Sequence, residues 1–490
     1  MTMKLIEHAR EHQIICTSTS ILGWDQETYM PNKASEFRAE QLSWLSARAH
    51  ELSTSQAWRE AIEAAEKLEL HDDPRMRANV NEMRRRFDQA VKLPVALVSE
   101  ITKTSSLAKR AWIEARQAND FAAFAPHLQK LIDLSKQKAE YWGYESELYD
   151  SLLDCHERGA STAQVSLLFD QLRQPLSALA KEAAEKSALS GLQLPAGPYP
   201  IDKQQQLNEA VARDIGYDFG AGRIDTTAHP FCTTLGPHDI RMTTRYDQDD
   251  FTSSLFGVLH EAGHGMYEQG LPDANPGMAD ADAVSLGIHE SQSRLWENHV
   301  GRSRGFWEKW YPLASSLFPQ LKQLSLDEFL VALNQAKFSF IRVGADEATY
   351  DLHILLRFDL ERRIFRNQLI VADLPQAWNE LFHELFGITP PDYQNGCLQD
   401  IHWSMGAFGY FPTYTLGNLN AAQLFHAAKK DATIASGIAS ANYGALLTWL
   451  RQNIHQHGAL FDPAELMKKA TGEVQDPKYH LAHLKARYVD

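Results

Sequence analysis

The sequence predicts a mainly α-helical fold. Apolar residues recur at three- and four-residue steps over long stretches, and Pro and Gly are scarce inside those stretches but gather between them. A single segment, about 222–248, instead mixes Thr, Ile, Phe and Tyr with Gly, Pro and His, the composition of short strands. The first helical run covers about 36–70, with Phe37, Leu42, Leu45, Ala49 and Leu52 along its stripe; others cover about 75–118, 121–142, 160–188, 320–340 and 440–455. Between 222 and 248 two strands are expected around a turn at Gly236-Pro237. The Gly- and Pro-rich connector over 190–200 is expected to divide a helical N-terminal half, about 1–190, from a part that carries chemistry, about 200–490, within a single domain spanning 1–490.

The 490 residues contain 48 Lys+Arg against 63 Asp+Glu, a net charge of −15, with 44% apolar and 23% charged residues. That balance is globular. The negative charge argues against nucleic acid and anionic lipid as partners. Cys16, Cys155, Cys232 and Cys397 lie far apart without a CxxC pair, which fits reduced thiols in a cytoplasmic protein. The charged N-terminus does not resemble a signal peptide, and no run of 18 apolar residues suggests a membrane span.

Residues 260–264 read His-Glu-Ala-Gly-His. On a helix, His260 and His264 stand one turn apart on one face and reach a single ion. Asp249 or Asp250 is suited to cap this helix, and Gly270 and Pro272 to stop it. A catalytic zinc site takes three protein ligands. Glu268 continues the stripe, but 260, 264 and 268 spread over about 12 Å, too far for one ion. A second helix is expected over Asp280–Val300, and Glu290 on it is the chosen third ligand. Its neighbour His289 points about 100° away around the helix. Asp280, Asp282 and Glu297 are weaker candidates, and Glu290 could instead simply pair with Arg294. Glu261, rotated off the ligand face, is placed to take a proton from a zinc-activated water and pass it to a leaving amine. The chemistry implied is amide hydrolysis.

Several separate motifs then resemble the carboxypeptidase Taq family of metallocarboxypeptidases, in family order. They are Trp24-Asp-Gln-Glu-Thr-Tyr-Met-Pro31, His229-Pro-Phe231, Asp239-Ile-Arg-Met-Thr243, the His-Glu-Ala-Gly-His helix, His289-Glu-Ser-Gln292, Ile341-Arg-Val-Gly-Ala-Asp346 and Gly396-Cys-Leu-Gln-Asp-Ile-His-Trp403. The resemblance implies a large helical, zincin-like fold with a deep substrate groove. It also implies a homodimer, and removal of C-terminal residues from peptides with broad specificity, generally sparing proline. One divalent metal per chain, zinc or cobalt, is implied, with His260, His264 and Glu290 as ligands and Glu261 as the catalytic acid/base. A zinc endo-oligopeptidase is the alternative.

A carboxypeptidase needs a cation for the free carboxylate of its substrate, and arginine binds carboxylate bidentately. Arg342 and Arg241 are the candidates; the residues alone leave Arg342 equally open to a plain intrahelical pair with Asp346, whereas the resemblance favours Arg342, on a helix expected over Ala336–Leu356, with Asp346 one turn later holding it. Arg241, in the expected hairpin, could instead bind substrate backbone or close the groove end; His229 and Phe231 are further substrate-binding candidates, although a lone histidine is more often structural and Phe231 is core by default. His402, then Tyr410 and Tyr414, are the candidate donors to the oxyanion, on a Gly-rich loop.

Overall fold

Capping side chains and prolines set the helix boundaries. In the computed structural model, which describes residues 2–68 and 73–490, twenty α-helices and three short strands are found. The run over 36–70 is two helices, Ser35–Ser53 and Gln56–Glu66, because Ser55 turns out of the first and caps the second through Trp58 N. Residues 69–70 of that run lie outside the described residues. The run over 75–118 divides into Pro74–Lys92 and Val95–Ala118 at Pro94, which removes an N–H and disfavours helix in the residue before it. Phe121–Trp142, Thr162–Ser190 and Gly444–Asn453 match their periodicity. The run over 320–340 does not: only Leu326–Leu333 is α-helical. No described helix is long and apolar enough to cross a membrane.

The chain forms two compact units, each from three stretches: Met1–Ala90, Gln193–Leu333 and Asn420–Gln475 in the first, Val91–Leu192, Asn334–Leu419 and Asp476–Asp490 in the second. A seam does fall in the 190–200 connector. The expected N-terminal half nevertheless separates, because Leu5 and Ala9 of the first helix bury with Trp58, Ile62, Val80, Phe87 and Met278. The first 90 residues thus belong with the histidine motif.

In the first unit, the motif helix Phe251–Glu268 starts at Asp250, whose carboxylate accepts from Thr252 N and Ser253 N. Leu255, Val258, Leu259, Ala262 and Met266 are buried, in a core that includes Val211, Trp307, Tyr443 and Leu450. Three strands, β1 (Ile224–Thr226), β2 (Cys232–Gly236) and β3 (Asp239–Thr244), lie in the order β1-β3-β2. β2 and β3 form the expected hairpin; β1, unforeseen, pairs with β3 in parallel.

In the second unit the helix Glu347–Phe365 buries sixteen of its nineteen residues, packed by Thr162–Ser190, Leu374–Phe386 and Lys478–Tyr488. A helix buried on all sides must satisfy every charge it carries. Asp351 accepts from Thr415 Oγ1 and Asn418 Nδ2 and contacts His480 Nε2 at 2.8 Å. Glu361, fully buried, accepts from Tyr149 OH at 2.5 Å, Trp403 Nε1 at 2.7 Å and Gly409 N at 2.9 Å, and so staples the 402–411 loop to this helix.

Burial pushes the Glu361 carboxyl up to about 7, against the opposing effect of those three donors. The folded state then holds a proton that the unfolded chain releases above pH ~4.3, so stability falls as pH rises through that interval and levels off above 7. The effect is at most about 4 kcal/mol. The wild-type stability advantage over Glu361→Gln, measured by urea unfolding, is expected to be larger at pH 5 than at pH 8; an equal gap at both would contradict the assignment.

Candidate metal centre and a buried arginine cluster

The metal motif depends on how closely two helices approach. The helix Leu286–Arg294, capped by Ser285, begins later than the Asp280–Val300 reading and continues as a π-helical turn over Leu295–Val300. It crosses the motif helix at Gly263. A methyl group there would lie 2.5 Å from Ser293 Cα and 2.6 Å from Gln292 O, both backbone atoms. The missing side chain lets Glu290 reach the histidines.

Three donors converge. Glu290 Oε2 is 3.8 Å from His260 Nε2 and 3.6 Å from His264 Nε2. A tetrahedral ion with bonds near 2.1 Å holds its ligands about 3.4 Å apart, so two imidazoles and a carboxylate at this spacing fit a divalent cation. Glu290 also pairs with Arg294, through Oε1 at 2.7 Å, while Oε2 faces the two histidines.

The weaker candidates lie elsewhere. Asp280 pairs with Arg75 at 2.6 Å and Asp282 with Arg86 at 2.5 Å. Glu297 Oε2 takes His260 Nδ1 at 2.8 Å and Arg294 Nη1 at 3.2 Å. His289 lies between His264, Nδ1 to Nδ1 at 2.5 Å, and Glu268, Nε2 to Oε1 at 2.8 Å. Glu297 and His289 are thus the groups at the Nδ1 atoms of His260 and His264, partners the sequence leaves open.

The buried Glu261 carboxyl is pushed up to about 7, chiefly by burial, with Glu290 and Glu297 adding to it and His260 opposing. Burial disfavours charge on His260, yet Glu290, Glu297 and Glu261 outweigh it and bring it up to about 9. Burial and the neighbouring His289, His260 and Arg294 hold His264 well below its ordinary value. Burial opposes charge on Glu297 too, but Arg294 and His260 bring it down to about 2. In the same unit Arg241 of β3 pairs with Asp239 at 2.7 and 2.8 Å and lies over the Trp24 ring at 4.7 Å. His229 is exposed on the β1–β2 loop, and Phe231 is half-buried, not core, with its backbone bonded to Thr243.

The second unit contains the remaining candidates, and here one expectation is corrected. Arg342 is not on an α-helix: 3₁₀ geometry covers Arg342–Gly344, and the helix starts at Glu347 with Asp346 as its cap. Asp346 is saturated by Ala348 N, Thr349 N, Lys337 N and Thr349 Oγ1, and does not hold Arg342. Asp400 does, at 3.0 Å from Nε and 2.9 Å from Nη2, while Nη1 donates to Tyr350 OH at 2.8 Å. Gln399 accepts from Arg342 N and donates to Phe340 O. Arg357 shares Asp400, at 2.7 Å from Nε. Burial opposes charge on Asp400, but Arg357 and Arg342 hold it well below the carboxylate range. Asp400, Gln399, Tyr350 and Arg357 were not singled out from sequence; the available signal was Gln399-Asp400 standing two residues before His402. His402 Nε2 lies 3.4 Å from Tyr414 OH, with the Tyr410 ring 5.2 Å away. Burial brings His402 down to about 4, so its ring is neutral at pH 7. Arg342 lies over the Tyr414 ring at 5.0 Å.

His260, His264 and Glu290, on crossing helices with the buried Glu261 between the histidines, form a donor set able to hold a divalent cation. The family model of the carboxypeptidase Taq (M32) metallopeptidases matches residues 4–488, and the chain belongs to that family. It is 41% identical to thermostable carboxypeptidase 1 of Thermus thermophilus, covering 99% of this chain and 97% of the relative. It is 37% identical to carboxypeptidase 1 of Bacillus subtilis, over 99% and 96%. Among solved structures, the Pyrococcus furiosus carboxypeptidase superposes with a TM-score of 0.96 at 37% identity, covering 100% of this chain and 99% of that one. The M32 carboxypeptidase of Deinococcus radiodurans gives 0.95 at 37%, over 99% and 98%. The protein is a metallocarboxypeptidase acting on peptides, with a mainly helical fold and a divalent metal requirement.

Gly263→Ala is expected to force the two helices apart and weaken metal binding while leaving the protein folded, as read by zinc titration and circular dichroism. Unchanged affinity would mean that the crossing does not set the position of Glu290.

Proposed function

We propose that the ion held by His260, His264 and Glu290 is zinc, with cobalt as a substitute, one per chain, and that Glu261 is the general base and acid of C-terminal peptide-bond hydrolysis. The observation that carries this is the convergence of the three donors with Glu261 buried between the two histidines. The cation, when bound, supplies Lewis acidity that polarises the scissile carbonyl and makes a water nucleophilic near neutral pH. Glu261 takes a proton from the attacking water and returns it to the departing amine. Glu297 and Arg294 keep His260 and Glu290 in place.

Arg342 is proposed to take the terminal carboxylate of the peptide. Two guanidiniums share the single carboxylate of Asp400, and neighbouring His353 and His402 are held neutral by burial, so the cluster has one positive charge in excess. Asp400 and Tyr350 fix the planar fork in advance. His402, whose Nε2 lies 3.4 Å from Tyr414 OH, is the proposed oxyanion donor, with Tyr410 and Tyr414 beside it. Arg241, His229 and Phe231 are proposed to contact substrate backbone. Broad specificity sparing proline, a homodimer and a single catalytic domain follow from the family resemblance; the four scattered free cysteines add support for a cytoplasmic setting.

Glu261→Gln is expected to bind metal normally and to lose on the order of 10²–10⁴ in kcat. A near-wild-type kcat in the metal-loaded variant would remove Glu261 from the role. Arg342→Ala is expected to lower kcat/KM on free-acid peptides ~10–150-fold, from the loss of a charge-assisted contact of about 1.5–3 kcal/mol, and to affect C-terminally amidated peptides much less. An equal drop on both substrates would move the role to Arg241 or another cation.

A further inference from the structure

In the second unit, the end of the helix Glu347–Phe365 carries more positive charge than its neighbours use. Arg362, Arg363 and Arg366 line a cavity of about 200 Å³ there, and Asp359, Gln368 and Leu381 complete its wall. Arg366 Nε donates to Glu147 Oε2 at 2.8 Å, and its Nη2 donates to Glu147 Oε1. Arg362 Nη2 reaches the same Oε1 at 3.4 Å. Asp359 is taken by Arg173 of the helix Thr162–Ser190 at 2.6 Å. Arg363 is half-buried, and its guanidinium has no hydrogen-bond or ion-pair partner among the described residues.

Basic side chains in the last turn of a helix ordinarily serve its free carbonyls. Backbone fills that role here. Arg362 O accepts from Arg366 N at 2.9 Å, and Ile364 O from Asn367 N at 3.0 Å. Arg363 O accepts from Gln368 N at 2.8 Å and from Leu369 N at 3.1 Å, a closure made possible by Asn367 at φ 57°. The guanidiniums are therefore not needed as caps. Lys136 of the helix Phe121–Trp142 joins the four arginines by donating to Asn367 Oδ1 at 2.7 Å. Within this linked group, five cations face three carboxylates: Glu147, Asp359 and Asp170, which acts on Asp359 from nearby. Two positive charges are left over, in a chain whose net charge is −15.

An excess of two selects among anions. A carboxylate would answer one charge, whereas a phosphate group carries about −1.5 to −2 at pH 7 and has three acceptor oxygens. The arginine fork matches phosphate oxygens in pairs. We propose that this cavity binds a phosphate group, free or as the monoester of a small molecule, with Arg363 as its principal contact and Arg362 and Arg366 beside it. Leu381 and the side chain of Gln368 offer contact to the organic part of an ester. The site uses none of the residues assigned to peptide hydrolysis.

The test is isothermal titration calorimetry of the metal-loaded enzyme with inorganic phosphate and, separately, with glycerol 1-phosphate, at constant ionic strength. Saturable binding with a Kd of about 1 mM or tighter is expected. Arg363→Gln is expected to weaken it ~10–150-fold, the loss of one charge-assisted contact, and to leave peptide hydrolysis in phosphate-free buffer unchanged. Arg363→Lys is expected to fall between the two, because an ammonium keeps the charge and loses the fork. Gln368→Glu sets a carboxylate in the cavity wall and is expected to weaken phosphate binding as well. Arg110→Gln, at an exposed arginine of the helix Val95–Ala118, is expected to change nothing. Tighter binding of the ester identifies a phosphorylated small molecule as the ligand and tighter binding of inorganic phosphate identifies the free ion; either supports the site. No saturable binding to the wild type, wild-type affinity in Arg363→Gln, or an equal loss in Arg110→Gln overturns it.

Discussion

The backbone approach at Gly263 is the constraint on which the metal centre depends. Two histidines on one helix supply two ligands by spacing alone, but the third must come from a different helix. The carboxylate arm of Glu290 is short, so the helices have to meet almost backbone to backbone. The sequence meets this with a glycine between the histidines and with Ser291 and Ser293 flanking Gln292 on the facing helix, all fully buried. The hydroxyls of Ser291 and Ser293 turn back onto Ile288 O and Glu290 O and leave no unsatisfied polar group at the crossing.

On the proposed ligand set, the residues left out become the frame around the site. His289 is excluded as a ligand because it points about 100° from Glu290 around the helix, and that direction takes it to the back nitrogen of His264. Glu268 is excluded because it lies a turn too far along, and that extra turn puts it beside His289. Glu297 is two turns beyond Glu290 and meets His260. Helical periodicity thus sorts one acidic and imidazole-rich stretch into inner and outer positions.

Local spacing made the motif helix, its Asp250 cap, the hairpin and the convergence of His260, His264 and Glu290 legible, because all depend on contacts within a turn or on neighbouring elements. The misreading of Arg342 has a plain physical cause. Arg342 and Asp346 have helical spacing, and spacing alone cannot tell a helix interior from its entrance. The carboxylate that caps a helix is committed to backbone N–H groups, as Asp346 is, and has no oxygen left for an arginine four residues earlier. The true partner, Asp400, is 58 residues on, a distance no periodicity reports. The stripe over 36–52 failed differently: Phe37 is exposed and the helix Ser35–Ser53 buries no residue, so amphipathic spacing there did not mean core.

That long-range pairing also explains why the second unit tolerates so much buried charge. Asp351 and Glu361 are each surrounded by donors, and Asp400 lies between two guanidiniums, so every buried carboxylate of this group has partners on more than one element. The balance is uneven only at the arginines. Arg357, fully buried, uses Asp400 and its own helix's His353 O, whereas Arg342 is held at its Nε, one Nη2 hydrogen and one Nη1 hydrogen. A guanidinium has five N–H donors, so Arg342 keeps two for a further acceptor. With one carboxylate neutralising two arginines, an acceptor bearing negative charge is the partner that the electrostatics favour, and a terminal carboxylate presents its two oxygens in the plane such a fork requires.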